Sequence, residues 1–141
     1  MSNYLTISHI LKQPQLEKNH IDLQVSTASE QLDITLDPEL VEQVLINLMT
    51  NAIQALHDHP EPIIQLSGQL DAQDRPVIRV TDNGPGILQD VQEKIFIPFF
   101  TTKQDGSGIG LSLSRQIMRM HSGAINVTST PDVQTTFTLR F

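Results

Sequence analysis

Three stretches of this 141-residue chain carry side chains whose type and spacing suit the binding of a charged ligand. The first is Asp82-Asn83-Gly84-Pro85-Gly86-Ile87. Here an acid stands where a run of β-forming residues gives way to a glycine turn. Gly84 and Gly86 lack a Cβ, so a ligand can approach the backbone closely, and Pro85 stiffens the turn between them. A single carboxylate framed by backbone at a strand end suits a base such as adenine. Taken alone, Asp-x-Gly-x-Gly is more often an ordinary strand-to-helix turn. The second stretch is an amide stripe, Gln43, Asn47, Asn51 and Gln54, on one helical line. Such amides either bond to nearby backbone or water, or face a polar ligand, and an Asn oxygen is a good neutral ligand for Mg²⁺. The third is Gly106-Ser107-Gly108-Ile109-Gly110-Leu111, preceded by Thr101-Thr102-Lys103. Glycines that open into a helix present backbone N–H groups to a phosphate chain, and the threonines and lysine add hydroxyls and a cation. Alone, such a run also fits a flexible linker.

The elements that must position these groups follow from periodicity. Tyr4, Leu5, Ile7, Ile10 and Leu11 have rough helical spacing that Pro14 ends. Ile21–Val25 alternates as a strand, and Ile34–Leu36 is a short strand candidate. Asp37-Pro38 is a helix start, with Asp37 as N-cap and Pro38 at the first helical position. The helix is expected to run to about His57. Val41, Val44, Leu45, Leu48, Ala52 and Ala55 fall on one side and Ile46, Met49 and Ile53 on much of the other, so it should be largely buried, with the amides between. Ile63–Leu70 and Pro76–Thr81 read as strands joined by a turn at Asp71–Arg75. Leu88–Lys94 is expected to be helical. Phe96 is a core candidate. A helix over Leu111–Met120 follows the glycines, and strands at Ala124–Val127 and Thr136–Phe141 close the chain.

The totals exclude several classes. With 38% apolar and 18% charged residues the composition is not that of a disordered chain. A net charge of −7 argues against nucleic acid or anionic lipid held over a broad basic surface. The absence of cysteine excludes disulfides and thiolate metal sites. No apolar run reaches the ~18 residues of a membrane span, and no signal peptide is visible. A single, soluble, cytoplasmic domain is expected, without direct membrane contact, whose parent could be membrane-anchored.

Taken in order, the Asn-bearing helix, Asp-x-Gly-x-Gly, Phe96-Ile97-Pro98-Phe99 and Gly-x-Gly-x-Gly-Leu closely resemble the ATP-binding catalytic domain of two-component sensor histidine kinases. That domain belongs to a superfamily shared with gyrase-type and heat-shock chaperone ATPases. The resemblance covers roughly Ile21 to Phe141. It implies an α+β fold, a two-layer sandwich of a mixed β-sheet on helices. Residues 1–141 would form one domain, with 1–20 a residual linker or first helix and a lid at about 99–106. By the motif match Asn51 is the Mg²⁺ ligand, and Asn47 contacts phosphate or a metal-bound water. Asp82 accepts a hydrogen bond from the adenine amino group. Gly84, Gly86, Ile87, Phe99, Thr102, Lys103, Gly106, Ser107, Gly108, Ile109, Gly110 and Leu111 complete the nucleotide site. Near the C-terminus the match reaches Thr135 and Thr136.

Two departures stand out. Many relatives carry Lys where this chain has Gln54, so Lys103 or Arg115 is the cation expected to compensate. The Gly-x-Gly-Thr common before the last strand is Asp132-Val133-Gln134-Thr135 here. The resemblance implies ATP and Mg²⁺ as cofactors. It also implies a His-bearing dimerisation domain as acceptor and a response regulator downstream. The alternatives are a stand-alone ATPase, an anti-sigma-factor-type serine kinase and a degenerate partner-binding domain. Gyrase-type ATPases have a Glu base where this chain has Asn47, which cannot be a base. His9, His20, His57, His59 and His121 lack the acceptor pattern. His121 is expected to cap the last helix as a cation.

Overall fold

The computed structural model describes residues 4–6, 14–27, 31–33, 37–100 and 108–141. Its centre is β5 (Pro76–Asp82), whose Ile78, Val80 and Asp82 share one face by the two-residue alternation of a strand and are all buried. On one side β5 pairs antiparallel with β4 (Ile63–Leu70), which in turn lies parallel to β2 (Asp22–Thr27). On the other it pairs antiparallel with β7 (Gln134–Arg140), itself antiparallel to β6 (Ala124–Thr130). The result is a mixed five-stranded sheet in the order β2-β4-β5-β7-β6.

Against this sheet packs α2 (Pro38–Ala55). It begins as expected: the Asp37 carboxylate accepts from the Glu39 and Leu40 amides at 3.0 and 3.4 Å, and Pro38 supplies the first helical residue. Val41, Val44, Leu45, Leu48, Met49 and Ala52 are buried, while Ile46 and Ile53 are half-buried, so the apolar arc is broad. Beside it lies α4 (Gly110–Met120), which buries Ile117 and Met118 and packs on β6. These helices and the inner sheet residues Ile64, Leu66, Ile78, Val80, Phe137 and Leu139 form one hydrophobic core. The architecture is the α+β sheet-on-helix sandwich that the motifs implied.

Some local expectations change. Tyr4–Thr6 is a strand, β1, paired antiparallel with β3 (Gln31–Asp33), not the start of a helix. Helical spacing over so few apolar residues does not outweigh a strand partner. The first helix described, α1, is Pro14–Lys18, which begins at the proline expected to end one. Between Leu88 and Lys94 only Gln89–Gln92 forms a helix, α3. It has no side-chain cap and buries nothing, so no packing sustains a second turn. The Ile34–Leu36 strand candidate lies outside the described residues.

Candidate nucleotide site

Asp82 is the last residue of β5, between Ile64 of β4 and Thr135 of β7, and only 5% of it is exposed. Its Oδ1 accepts the Gly84 amide at 2.9 Å. A Cβ on Gly84 would lie 2.9 Å from that oxygen and 3.0 Å from the Ala55 carbonyl, so the loop passes too close to the end of α2 for any side chain. Gly86 takes φ +77°, and a Cβ there would stand 2.7 Å from the Thr130 carbonyl. Asn83 points the other way: its side chain accepts the Ile63 amide at 2.8 Å and donates to the Glu61 carbonyl at 2.9 Å. The motif's Asn therefore closes the strand end, and its Asp faces the helices.

The turn between β6 and β7 clasps this loop. Ser129 Oγ accepts the Ile87 amide at 2.8 Å, Gln92 donates to the Ile87 and Ser129 carbonyls at 2.7 and 3.3 Å, and the Asp132 amide donates to the Pro85 carbonyl at 2.6 Å. Asp132 itself sits at φ +64°, so it takes up the left-handed backbone that glycine would favour at the start of Gly-x-Gly-Thr. Sequence reasoning missed Ser129 and Gln92, because the bonds that join Ser129 to Ile87 and to Gln92 link segments about 40 residues apart and leave no local pattern. The two threonines separate by face. Thr135 pairs with Asp82, is buried, and its hydroxyl lies 2.9 Å from Ser129 Oγ. Thr136 belongs to the opposite face of the sheet, where its hydroxyl bonds that of Thr81 at 2.9 Å. Thr136, carried onto the nucleotide site by the motif match, therefore lies on the sheet face opposite Asp82, because successive strand residues point to opposite faces.

The amide stripe meets the start of α4. Asn47 Nδ2 donates to Ser114 Oγ at 3.3 Å and to the Gly110 carbonyl at 3.5 Å, while its Oδ1 accepts from Gln43 at 3.5 Å. A Cβ on Gly110 would meet nothing nearer than Asn47 Cγ at 4.0 Å, so the glycine leaves space between the two helices. No side chain caps α4 at Ile109. Asn51 is half-buried one turn further along α2 and, like the exposed Gln54, already has a partner. Asn47, Asn51 and Ala55 thus form one line of α2, meeting Gly110 at one end and Gly84 at the other. That line is about 12 Å long at 1.5 Å per residue, a span suited to an extended nucleotide.

Phe99 and Gly108 form a neck. The Phe99 amide donates to the Gly108 carbonyl at 2.8 Å, and both residues have left-handed φ, +68° and +71°. The Phe99 side chain is exposed, as is that of Ile109, whereas Ile87 and Leu111 pack on the core. Thr102, Lys103, Gly106 and Ser107, and most of the expected lid, lie outside the described residues. Arg115 stands over the Phe96 ring, its guanidinium carbon 5.6 Å from the centroid, and Phe96 meets Phe137 edge-on. Phe96 is half-buried against the core, as expected. His57 and His59 are at the end of α2, with His57 Nε2 3.3 Å from the Asp58 carboxylate. Among the described residues no three His, Asp or Glu side chains form a metal cluster, and no helix is long and apolar enough to cross a membrane.

Comparison with known proteins agrees with this geometry. Residues 36–141 match the family described as "Histidine kinase-, DNA gyrase B-, and HSP90-like ATPase". The chain is 46% identical over 106 residues to the signal transduction histidine-protein kinase AtoS of Escherichia coli K12, a match covering 75% of this chain and 17% of that protein. It is 39% identical over 140 residues to the sensor histidine kinase ZraS of Salmonella typhimurium, covering 99% of this chain and 30% of that one. It therefore spans less than a third of either relative. Its fold superposes on the nucleotide-free catalytic domain of histidine kinase ThkA with a TM-score of 0.83 and 30% identity, over 100% of this chain and 95% of the other. These relatives lend no support to the stand-alone ATPase or anti-sigma-factor alternatives.

Proposed function

The chain belongs to the family of histidine kinase-, DNA gyrase B- and HSP90-like ATPases, as a catalytic ATPase domain of the sensor histidine kinase type, and we propose that it passes the γ-phosphoryl of Mg²⁺-ATP to a histidine on a separate dimerisation domain, from which a response regulator is charged. The observation that carries this reading is the line of α2 between two glycine loops, with buried Asp82 beside one end and Gly110 opposite Asn47 at the other. Asp82 would accept from the adenine amino group, with Gly84, Gly86 and Ile87 lining the base. Asn51 would hold Mg²⁺, and Asn47 a phosphate or a metal-bound water. The N-terminus of α4, with Gly108, Ile109, Gly110 and Leu111, would face the phosphates. The space left at Gly110 and the neutral oxygen donors on α2 fit such a group. Bound Mg²⁺ would supply charge neutralisation on the phosphates.

The chain's own part in the reaction is positioning. A neutral imidazole nitrogen is already a nucleophile and needs no strong base. The acceptor nitrogen forms the N–P bond as the bond from γ-phosphorus to the bridging oxygen breaks, ADP leaves with the electron pair, and the ring proton passes to solvent. Asn47 cannot take a proton from water, and its amide is already directed at Ser114 and Gly110. This favours transfer over hydrolysis. The test is incubation with radiolabelled ATP and Mg²⁺, with and without the matching His-bearing domain. The domain in trans should acquire an acid-labile phosphohistidine, and the label should disappear when Mg²⁺ is chelated. The chain alone should hydrolyse ATP very slowly and carry no label. Efficient self-labelling or rapid turnover by the isolated chain would overturn the assignment.

A further inference from the structure

His121, the C-cap residue of α4, bonds its own helix as its place suggested and also reaches a second helix. The ring is 6% exposed and both nitrogens are engaged. Nδ1 lies 2.7 Å from the Ile117 carbonyl of its own helix, and Nε2 accepts the backbone amide of Asp37 at 3.2 Å. A nitrogen that accepts from an amide carries no proton, and one facing a carbonyl must donate. These contacts match the Nδ1–H tautomer, with Nδ1 facing the Ile117 carbonyl and Nε2 facing the Asp37 amide. Protonation at Nε2 would set two donors against each other.

The Asp37 amide belongs to the N-cap of α2. The start of α2 thus meets the end of α4, while Asn47 of α2 meets the first turn of α4 at Gly110 and Ser114. The two helices run in opposite directions and are joined by directional bonds at both ends of α4, about 16 Å apart at 1.5 Å per residue. Apolar packing between helices is non-directional and leaves small rotations open. Two separated hydrogen-bonded ties remove the pivot that one would leave.

We infer that His121 is a positioning residue for nucleotide binding: its imidazole ties the end of α4 to the start of α2 and so fixes Gly110 opposite Asn47 and Asn51. The inference rests on the ATP-binding reading above. His121 touches no ligand and acts through the helix pair.

Two amide substitutions separate the two bonds. An Asn amide reaches about as far as Nδ1 and can keep only the bond to Ile117. A Gln amide reaches about as far as Nε2 and can offer an oxygen to the Asp37 amide. Calorimetric titration with ATP and Mg²⁺ should show His121→Gln within about threefold of wild type and His121→Asn weaker by about tenfold, because the Asp37 donor is then left unpaired. Melting temperatures, measured alongside, confirm that each titration is made on folded protein. Nitrogen-15 spectra of the wild type should show a protonated Nδ1 and a bare Nε2. Equal affinities for the Gln and Asn variants, or an Nε2–H tautomer, would overturn the proposal. A wild-type chain that does not bind ATP would refute the underlying reading, and the proposal with it.

Discussion

Asp82 is held where one carboxylate has the greatest leverage on a base. It sits at the end of the central strand, nearly out of water, with one oxygen fixed by the Gly84 amide. A carboxylate only accepts hydrogen bonds and the adenine amino group only donates, so the match is specific. Asp82→Ala should weaken ATP binding by about 1.5–3 kcal/mol, the range for hydrogen bonds to charged groups. Asp82→Asn, which can still present an oxygen, should lose less. Titration calorimetry checks both, and unchanged affinity in the alanine variant would place adenine elsewhere. The place of Asp82 at a strand end was legible in the sequence because it is written in adjacent residues: an acid, two glycines and the strand before them. Thr135 and Thr136 were not separable in the same way. A slip of one residue turns a side chain to the other face of the sheet, and only the pairing with Asp82 decides which threonine is inside. Nor could Asp132 be read as a left-handed residue, since Asp adopts that backbone only where its surroundings impose it.

Among the elements, α2 was the most legible, because its cap, its first proline and its apolar arcs all agree. Its amides could be assigned to a line but not to partners, which come from α4, more than 60 positions away. The β4–β5 hairpin was legible too, through the polar turn that sets its register. There Asp71 Oδ1 accepts the Arg75 and Gln73 amides at 3.0 and 2.8 Å. The Arg75 amide above all holds the Asp71 carboxyl below its ordinary value of 3.8; desolvation opposes it, and the Gln73 amide and the nearby Arg75 and Arg140 charges add to the lowering. A carboxyl with a lower pKa folded than unfolded binds fewer protons in the native state, so stability rises with pH across that range. Its contribution is complete above 3.8 and is lost as pH falls through the lower folded value. Asp71→Asn keeps an acceptor oxygen but removes the charge. Urea unfolding should therefore find wild type more stable than the variant near neutral pH, with the gap closing as pH drops below 3.8. A gap that stays constant down to strong acid would show that the turn does not depend on this charge.

At the scale of the whole molecule, sheet and helices share one core. Val44, Leu45 and Leu48 of α2 and Ile117 and Met118 of α4 lie in the same cluster as Ile64, Val80 and Leu139 of the sheet. The line proposed to hold nucleotide is built from the same parts: Asp82 is the end of the central strand, and Asn47, Asn51 and Gly110 belong to the two core helices. Opening either layer would therefore dismantle the site, and unfolding of the described core should be a single cooperative transition. A ligand that binds only the folded state stabilises it by mass action, about 2.7 kcal/mol when its free concentration is a hundred times the dissociation constant. For a chain of this length that corresponds to a rise in melting temperature on the order of 5–10 °C. ATP with Mg²⁺ should produce it. GTP at the same concentration should give a much smaller rise, because guanine presents a carbonyl where adenine presents its amino group and would set it against the Asp82 carboxylate. Calorimetric scans decide between the outcomes. An equal shift with GTP would remove Asp82 from base recognition, and two separate transitions would mean that the layers do not share a core in the way their packing indicates.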